Sequence, residues 1–270
     1  MALLLKILIG LAVLALAILL ATYFGQRRLL YFPDRTRTSP AASGLSAVTE
    51  HVLDAPDGAR IITWWGRARP GQPTFVYFHG NGGALADRSA RFERFMSEGW
   101  GVFMMAYRGY SGSTGSPSEI DNVADALNAF DWIVAHGVDA RSIILYGESL
   151  GTGIATQVAV LRPSLALILD APYTSTYEVG ARRYPFLPVA RAMWDRYETR
   201  RHIRNVKVPV LVIHGTRDPV IPVEMGREVA QLANEPKTYI EFPNGGHIDL
   251  YINGNEALPH VRRFVAGLKR

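Results

Sequence analysis

The chain has 270 residues, of which 48% are hydrophobic and 20% are charged, and this balance excludes a largely disordered protein. It has no cysteine, which excludes disulfides, thiolate metal sites and a cysteine nucleophile. The net charge of +5 is too mild to indicate a nucleic-acid-binding protein, since such a protein gathers its basic residues on one face. The length fits one large α/β domain or two small domains.

The first predicted element is an apolar helix. Ile7–Phe24 contains 18 residues and no charged side chain. As a helix it rises about 27 Å, close to the roughly 30 Å of a bilayer's hydrocarbon core, so residues 1–25 are predicted to be a transmembrane anchor. A cleaved signal peptide and a buried core helix are the alternatives. The A-x-A pattern at Ala15–Ala17 lies inside the apolar run, which disfavours cleavage.

The charges that flank this helix bear on its orientation. Basic residues favour the cytoplasmic side, and those after the helix outnumber Lys6 before it. This predicts a single-pass membrane protein whose remaining residues lie in the cytoplasm. A signal-anchor segment would place them on the opposite side, so the side is left open.

The next stretch is typical of a linker and then of strands. Residues 26–46 are predicted to be a linker because they contain Pro33, Ser39, Pro40, Ser43 and Gly44. Residues 47–270 are predicted to be the globular domain. It begins with two strand-like runs, Val48–Leu53 and Ile61–Trp65, divided by the turn tripeptide at 56–58, which predicts a β-hairpin.

From Thr74 onward, short uncharged runs alternate with amphipathic stretches. The runs predict strands that are buried from both sides, at Thr74–Phe78, Val102–Ala106, Ser142–Tyr146, Leu165–Leu169, Val208–Ile213 and Thr238–Phe242. Helices are predicted at Asp87–Glu98, Ile120–His136, Thr152–Leu161, Val223–Ala233 and Asn255–Leu268. This alternation predicts an α/β fold with a mostly parallel central sheet and helices on both faces. The long interval between Leu169 and Val208 predicts an inserted cap at about 173–207.

The pattern G-x-S-x-G occurs at 147–151 and directly follows a predicted strand. A helix rich in small residues follows it, and this strand–turn–helix setting forces Ser149 into a tight turn above the sheet edge. The flanking glycines allow the neighbouring backbone to pack closely. Ser149 is therefore the candidate nucleophile; the alternative is a glycine–serine turn without chemistry.

A serine nucleophile needs a base, and the base needs an acid to orient it. Of the seven histidines, His247 lies in a glycine-containing loop after the last predicted strand, beside the edge that carries Ser149. Asp218 follows the preceding strand, and the chain order of Ser149, Asp218 and His247 fits a hydrolase triad. Asp170 is the rival acid.

An oxyanion hole needs backbone N–H groups that point at one position. The loop Phe78–Gly83 follows a predicted strand at the sheet edge, so the N–H groups of Asn81 and Leu150 are the candidate donors. His79 is expected to brace this loop rather than to act as a base. The loop lacks the Lys-Ser/Thr of a P-loop and the third glycine of a dinucleotide fingerprint.

These motifs together resemble the α/β-hydrolase superfamily, in particular its membrane-anchored α/β-hydrolase-domain proteins and the serine aminopeptidase-like group. The motifs that carry the resemblance are Phe78–Gly83, Tyr107–Gly115, Gly147–Gly151, His214–Asp218 and Gly246-His247, together with Gln26–Pro33. The resemblance implies a serine hydrolase, usually an esterase, thioesterase or lipase-like enzyme. Ala106 stands where relatives often have an acid, with no mechanistic consequence that we can derive.

The expected activity is hydrolysis of carboxylic esters or thioesters, including lipid-like acyl substrates, through an acyl-enzyme. No metal and no organic cofactor is expected, nor a nucleic-acid partner; the expected partners are the ester substrate and the membrane. A serine aminopeptidase-like peptidase is the alternative. A membrane-tethered binding protein on a hydrolase fold is the non-enzyme alternative, which the complete triad disfavours. The sequence leaves the oligomeric state open.

Overall fold

The computed structural model describes residues 1–247, 250 and 256–268, and within them the main sheet has eight strands. Six parallel strands form its larger part: β4 Thr74–Phe78, β6 Gly101–Met105, β7 Ile143–Glu148, β8 Ala166–Asp170, β9 Val210–Gly215 and β10 Lys237–Phe242. All residues of the five strands β4, β6, β7, β8 and β9 are buried. The uncharged runs predicted these strands to within two residues at their starts.

The predicted hairpin forms the other edge of the sheet. It consists of β2 Thr49–Asp54 and β3 Arg60–Gly66, which pair antiparallel, and β3 in turn pairs antiparallel with β6. The strand order is β10-β9-β8-β7-β4-β6-β3-β2. Because β7 lies near the middle, the segment that follows it emerges over the centre of the sheet.

The helices between the strands surround this sheet. They are α2 Ser89–Ser97, α3 Glu119–Ala135, α4 Leu150–Leu161, α8 Val223–Leu232 and α9 Ala257–Gly267. Helix α4 has nine buried residues, and the small ones among them, Gly151, Gly153, Ala155 and Ala159, allow it to approach β4, β7 and β8 closely. The prediction of an α/β-hydrolase fold with a mostly parallel sheet is confirmed. Asn255, where the last helix was predicted to begin, lies outside the described residues.

The long interval after β8 contains three short helices. These are α5 Thr176–Arg183, α6 Val189–Ala192 and α7 Thr199–His202. Ser175 caps α5 by accepting a hydrogen bond from the N–H of Glu178. We refer to residues 173–207 as the cap.

The amino-terminal helix α1 runs from Ala2 to Leu30 and none of its residues is fully buried. It is long and apolar enough to cross a membrane. The helix continues beyond residue 25 into the stretch predicted as a linker. Phe32-Pro33 then forms strand β1, which pairs in parallel with β5, Gly82-Gly83, so this stretch lies against the glycine-rich loop that follows β4.

Candidate active site

Ser149 occupies a sharp turn between β7 and α4. Its backbone has φ 50° and ψ −117°, a conformation that L-residues rarely adopt. A Cβ at Gly147 would lie 2.5 Å from the carbonyl oxygen of Gly151, and a Cβ at Gly151 would lie 2.0 Å from that of Phe78. Glycine is therefore required on both sides of Ser149, as the motif predicted, and the turn holds the serine above the carboxyl edge of the sheet.

The structure brings Ser149, His247 and Asp218 together in one line of hydrogen bonds. Nε2 of His247 lies 2.8 Å from Oγ of Ser149, and Nδ1 of His247 lies 2.7 Å from Oδ2 of Asp218. An ionised carboxylate can only accept, so Nδ1 carries the proton and Nε2 is free to accept from the serine hydroxyl. This arrangement can deprotonate the hydroxyl of Ser149.

The side chain of Asp218 is buried and accepts hydrogen bonds on both oxygens. The backbone N–H groups of Val220 and Ile221 donate to Oδ1 at 2.8 Å, and Nε2 of His214 lies 3.2 Å from Oδ2. Burial raises the pKa of Asp218, but the hydrogen bonds from His214 and His247 outweigh it and hold that pKa well below its usual range. Asp218 is therefore ionised at neutral pH.

The electrostatics of the site also shift His247. Burial lowers the pKa of His247, whereas the hydrogen bond to Asp218 and the negative charge of that carboxylate raise it, and the net pKa is raised. The imidazolium formed when His247 takes a proton is thus stabilised by Asp218.

Asp170, the rival acid, does not hydrogen-bond to His247 within the described residues. Its Oδ2 accepts from the hydroxyl of Tyr146 at 2.7 Å and from Arg91 at 3.2 Å, and its backbone oxygen accepts from the N–H of Ser149 at 2.9 Å. Burial raises the pKa of Asp170. The geometry thus favours Asp218 as the partner of His247.

The loop after β4 lies against the serine turn. The carbonyl oxygen of Asn81 accepts from the N–H of Phe32 and from the hydroxyl of Tyr110, and its side-chain amide donates to the carbonyl oxygen of Leu30. Within the described part of the chain, the backbone N–H groups of Asn81 and Leu150 donate a hydrogen bond to no protein atom. Both residues border the same cavity as Ser149, so both amides are available to a ligand there.

His79 is buried inside this loop. Its Nδ1 lies 2.6 Å from the carbonyl oxygen of Gly80, and the hydroxyl of Tyr107 donates to its carbonyl oxygen at 2.6 Å. Burial lowers the pKa of His79 to about 3. These contacts fit the expected bracing role.

Sequence reasoning missed a buried ionic cluster beneath Ser149. The carboxylate of Glu148 is bonded to Arg91 at 2.7 Å and to Arg88 at 3.1 Å, and it also accepts hydrogen bonds from the hydroxyl of Tyr77 and the N–H of Gly80. Burial raises the pKa of Glu148, but the two guanidinium groups outweigh it and hold that pKa well below its usual range. The cluster links the serine turn to the Asn81 loop.

Two cavities meet at Ser149. The first is apolar, has a volume of about 710 Å³ and is bounded by the cap, by α1 and by the loop Pro219–Ile221. The second has a volume of about 450 Å³ and is bounded by charged side chains, including Asp87, Arg88 and Glu148, as well as by His247. A substrate with one apolar and one polar part would fit across the serine. Within the described residues, no group of three or more His, Asp or Glu side chains could hold a metal ion.

Comparison with known proteins agrees with this architecture. The family model of the serine aminopeptidases, S33, matches residues 69–197, and that of the alpha/beta hydrolase fold matches residues 183–253. An uncharacterized Mycobacterium tuberculosis protein, Rv2307c, is 38% identical over 261 residues, which cover 94% of this chain and 92% of that protein. The lysophosphatidylserine lipase ABHD12 of Rattus norvegicus is 28% identical over 289 residues, covering 89% of this chain and 71% of that protein.

Solved structures share the fold at low sequence identity. The esterase Pf2001 of Pyrococcus furiosus superposes with a TM-score of 0.71 at 16% identity, covering 88% of this chain and 98% of that one. The sheet order and the turn at Ser149 fit this fold, and the relatives match most of this chain. The predicted resemblance is therefore confirmed. This chain belongs to the α/β-hydrolase superfamily, in the group of α/β-hydrolase-domain and serine aminopeptidase-like hydrolases, and it carries an amino-terminal helix long enough to cross a membrane.

Proposed function

We propose that this hydrolase cleaves carboxylic esters or thioesters of lipid-like acyl chains, with Ser149 as nucleophile, His247 as general base and Asp218 as the acid that orients it. The observation that carries the proposal is the hydrogen-bonded line from Oγ of Ser149 through His247 to Asp218. This line begins at the junction of an apolar and a polar cavity.

The proposed reaction has two halves. Oγ of Ser149 attacks the carbonyl carbon while His247 accepts the serine proton, and the N–H groups of Asn81 and Leu150 hold the oxyanion. The bond to the leaving oxygen or sulfur then breaks, and His247 returns its proton to the leaving group. Water, deprotonated by His247, then attacks the acyl-enzyme; the bond from the acyl carbon to Oγ breaks, the acid is released, and His247 returns the proton to Oγ of Ser149.

The positions of the two cavities suggest how the substrate is oriented. His247 must reach the leaving oxygen, and His247 borders the polar cavity but not the apolar one. The alcohol or thiol is therefore assigned to the polar cavity and the acyl chain to the apolar cavity. The name of the ABHD12 relative supports this orientation, because lysophosphatidylserine has one acyl chain and a polar headgroup.

An aminopeptidase is the less favoured reaction. It must recognise a substrate ammonium group, for which a free carboxylate is the natural partner. In the polar cavity, the carboxylate of Glu148 is already bonded to Arg88 and Arg91, and that of Asp87 accepts the N–H of Ala84 and lies 3.9 Å from Arg88. The long apolar cavity also has no purpose in the release of a small amino-terminal residue.

A fluorophosphonate probe and a substrate series test the proposal together. The wild-type protein should be labelled and Ser149→Ala should not. Hydrolysis of p-nitrophenyl esters should increase with acyl length and exceed that of an aminoacyl arylamide. Absence of labelling in folded wild-type protein would favour a binding protein on a hydrolase fold, and faster cleavage of the arylamide would favour the peptidase.

A further inference from the structure

We propose that α1, besides anchoring the chain, forms one wall of the acyl-binding cavity, so that an acyl chain reaches Ser149 from the hydrocarbon of the adjacent leaflet without crossing water. The proposal rests on the function proposed above and adds where the substrate resides. The occupant is the acyl chain of a membrane-resident amphiphilic ester.

The cavity is continuous from the serine to the membrane helix. At its inner end it is bounded by Ser149 and Leu150, and at its outer end by Leu19, Leu20 and Tyr23 of α1. Cap residues such as Val179 and Leu187 line the same cavity. The route is thus lined mainly by apolar side chains over its whole length, as an acyl chain requires.

Polar contacts fix α1 against the cap. Oε1 of Gln26 accepts a hydrogen bond from the backbone N–H of Trp194 at 2.8 Å, and Nε2 of Gln26 donates to the carbonyl oxygen of Ala192 at 3.2 Å. Arg27 is bonded to the nearly buried carboxylate of Asp195 at 2.9 Å. These contacts hold the helix in place, so the cavity has a defined wall on this side.

The hydroxyl groups of two buried tyrosines make a further contact just after the helix. The hydroxyl oxygens of Tyr31 and Tyr197 lie 3.0 Å apart, and the side-chain amide of Asn122 donates to the hydroxyl oxygen of Tyr197 at 2.9 Å. This contact joins the end of α1 to the cap and to α3. The wall is therefore part of the folded domain, not a free tether.

The outer end of the cavity lies at hydrocarbon depth. The uncharged run of α1 ends at Phe24, and Leu19 lies five residues earlier, about 8 Å deeper along the helix axis. Leu19 and Leu20 are 43% and 47% exposed, so lipid can reach the helix at this level. An acyl chain that enters here stays among apolar groups until its carbonyl reaches Ser149.

Paired tryptophan substitutions in full-length protein test the wall. Leu19→Trp narrows the cavity, whereas Ala21→Trp, two residues away, places the same side chain on the exposed opposite side of α1. The readout is the ratio of kcat/KM for p-nitrophenyl dodecanoate to that for the butyrate in mixed micelles. Leu19→Trp should lower this ratio about tenfold, the effect of losing a small apolar contact in a binding pocket. Ala21→Trp should keep the wild-type ratio.

The outcomes separate this proposal from the one on which it rests. If Ser149-dependent hydrolysis of the butyrate persists but both variants keep the wild-type ratio, the wall is refuted and the proposed function stands. If no Ser149-dependent hydrolysis is found, the proposed function fails. Photolysis of a diazirine-bearing fatty acid with the Ser149→Ala protein then decides about the cavity: crosslinks to Leu19 and Val179 that excess palmitate suppresses support the wall, and unsuppressed labelling refutes it.

Discussion

Replacement of Asp218 by asparagine should abolish most of the activity while leaving the fold intact. Asparagine has the same shape, and its amide oxygen can keep the two backbone N–H bonds that Oδ1 now accepts from Val220 and Ile221. Its amide nitrogen would then occupy the place of Oδ2, opposite Nδ1 of His247. An NH₂ group donates, so His247 must accept at Nδ1 and carry its proton on Nε2.

The size of the effect follows from this change of tautomer. With a proton on Nε2, His247 cannot accept the hydroxyl proton of Ser149, which lies 2.8 Å away. Loss of this step in a serine triad costs about 10⁴ in kcat, or about 5 kcal/mol of transition-state stabilisation. Initial rates on p-nitrophenyl butyrate measure it, and circular dichroism and thermal unfolding confirm that the variant is folded.

Asp170→Asn provides the matched control. Asp170 bonds to Tyr146 and Arg91 rather than to His247, so the variant should retain kcat to within about tenfold provided that it remains folded. Near-wild-type activity of Asp218→Asn together with inactivation of folded Asp170→Asn would refute the assignment of the acid.

Three further outcomes are expected. The value of kcat/KM should fall with decreasing pH through an apparent pKa above the ordinary value of a histidine side chain, since His247 must be neutral to act and Asp218 raises its pKa; an apparent pKa at or below that ordinary value contradicts this. His214→Phe should lower the free energy of unfolding by about 2 kcal/mol, because it removes the hydrogen bonds from Nε2 to Asp218 and to the carbonyl oxygen of Ile221; an unchanged midpoint in urea contradicts this. Gly151→Ala should cost about 3 kcal/mol, since its Cβ would lie 2.0 Å from the carbonyl oxygen of Phe78, whereas Gly267→Ala, whose Cβ meets no atom within 4 Å, should keep the wild-type melting temperature.

The features that the sequence predicted are those with a local signature. Residues close together in the sequence produce the uncharged strands and the turn between glycines. The topology that follows from these strands places the loops at their carboxyl ends. For this reason Ser149, Asp218 and His247 could be placed at one sheet edge before their contacts were known. The strand boundaries shifted by up to two residues, since hydrogen bonding rather than composition ends a strand.

Features that depend on distant pairs were not predicted. Glu148 occupies an unspecified position of the G-x-S-x-G pattern, so nothing in the sequence singled it out, although it is buried and bonded to Arg88 and Arg91. Arginines three residues apart within the predicted helix Asp87–Glu98 would ordinarily indicate a solvated face, and only the fold shows that both are bonded to a buried carboxylate. His214 had a usable signal, since it lies at the carboxyl end of the buried strand β9, one residue before the last and four residues before Asp218.

The helix α1 and the site are also connected through Asn81. The side-chain amide of Asn81 donates to the carbonyl oxygen of Leu30 at 2.8 Å, at the last residue of α1, and its carbonyl oxygen accepts from the N–H of Phe32 at 2.9 Å. Because these two groups are held by the end of α1 and by β1, the loop is fixed and the N–H of Asn81 stays available to a substrate. The segment that follows α1 therefore orients the proposed oxyanion donor, and displacement of α1 from the cap would disturb both the acyl cavity and this donor.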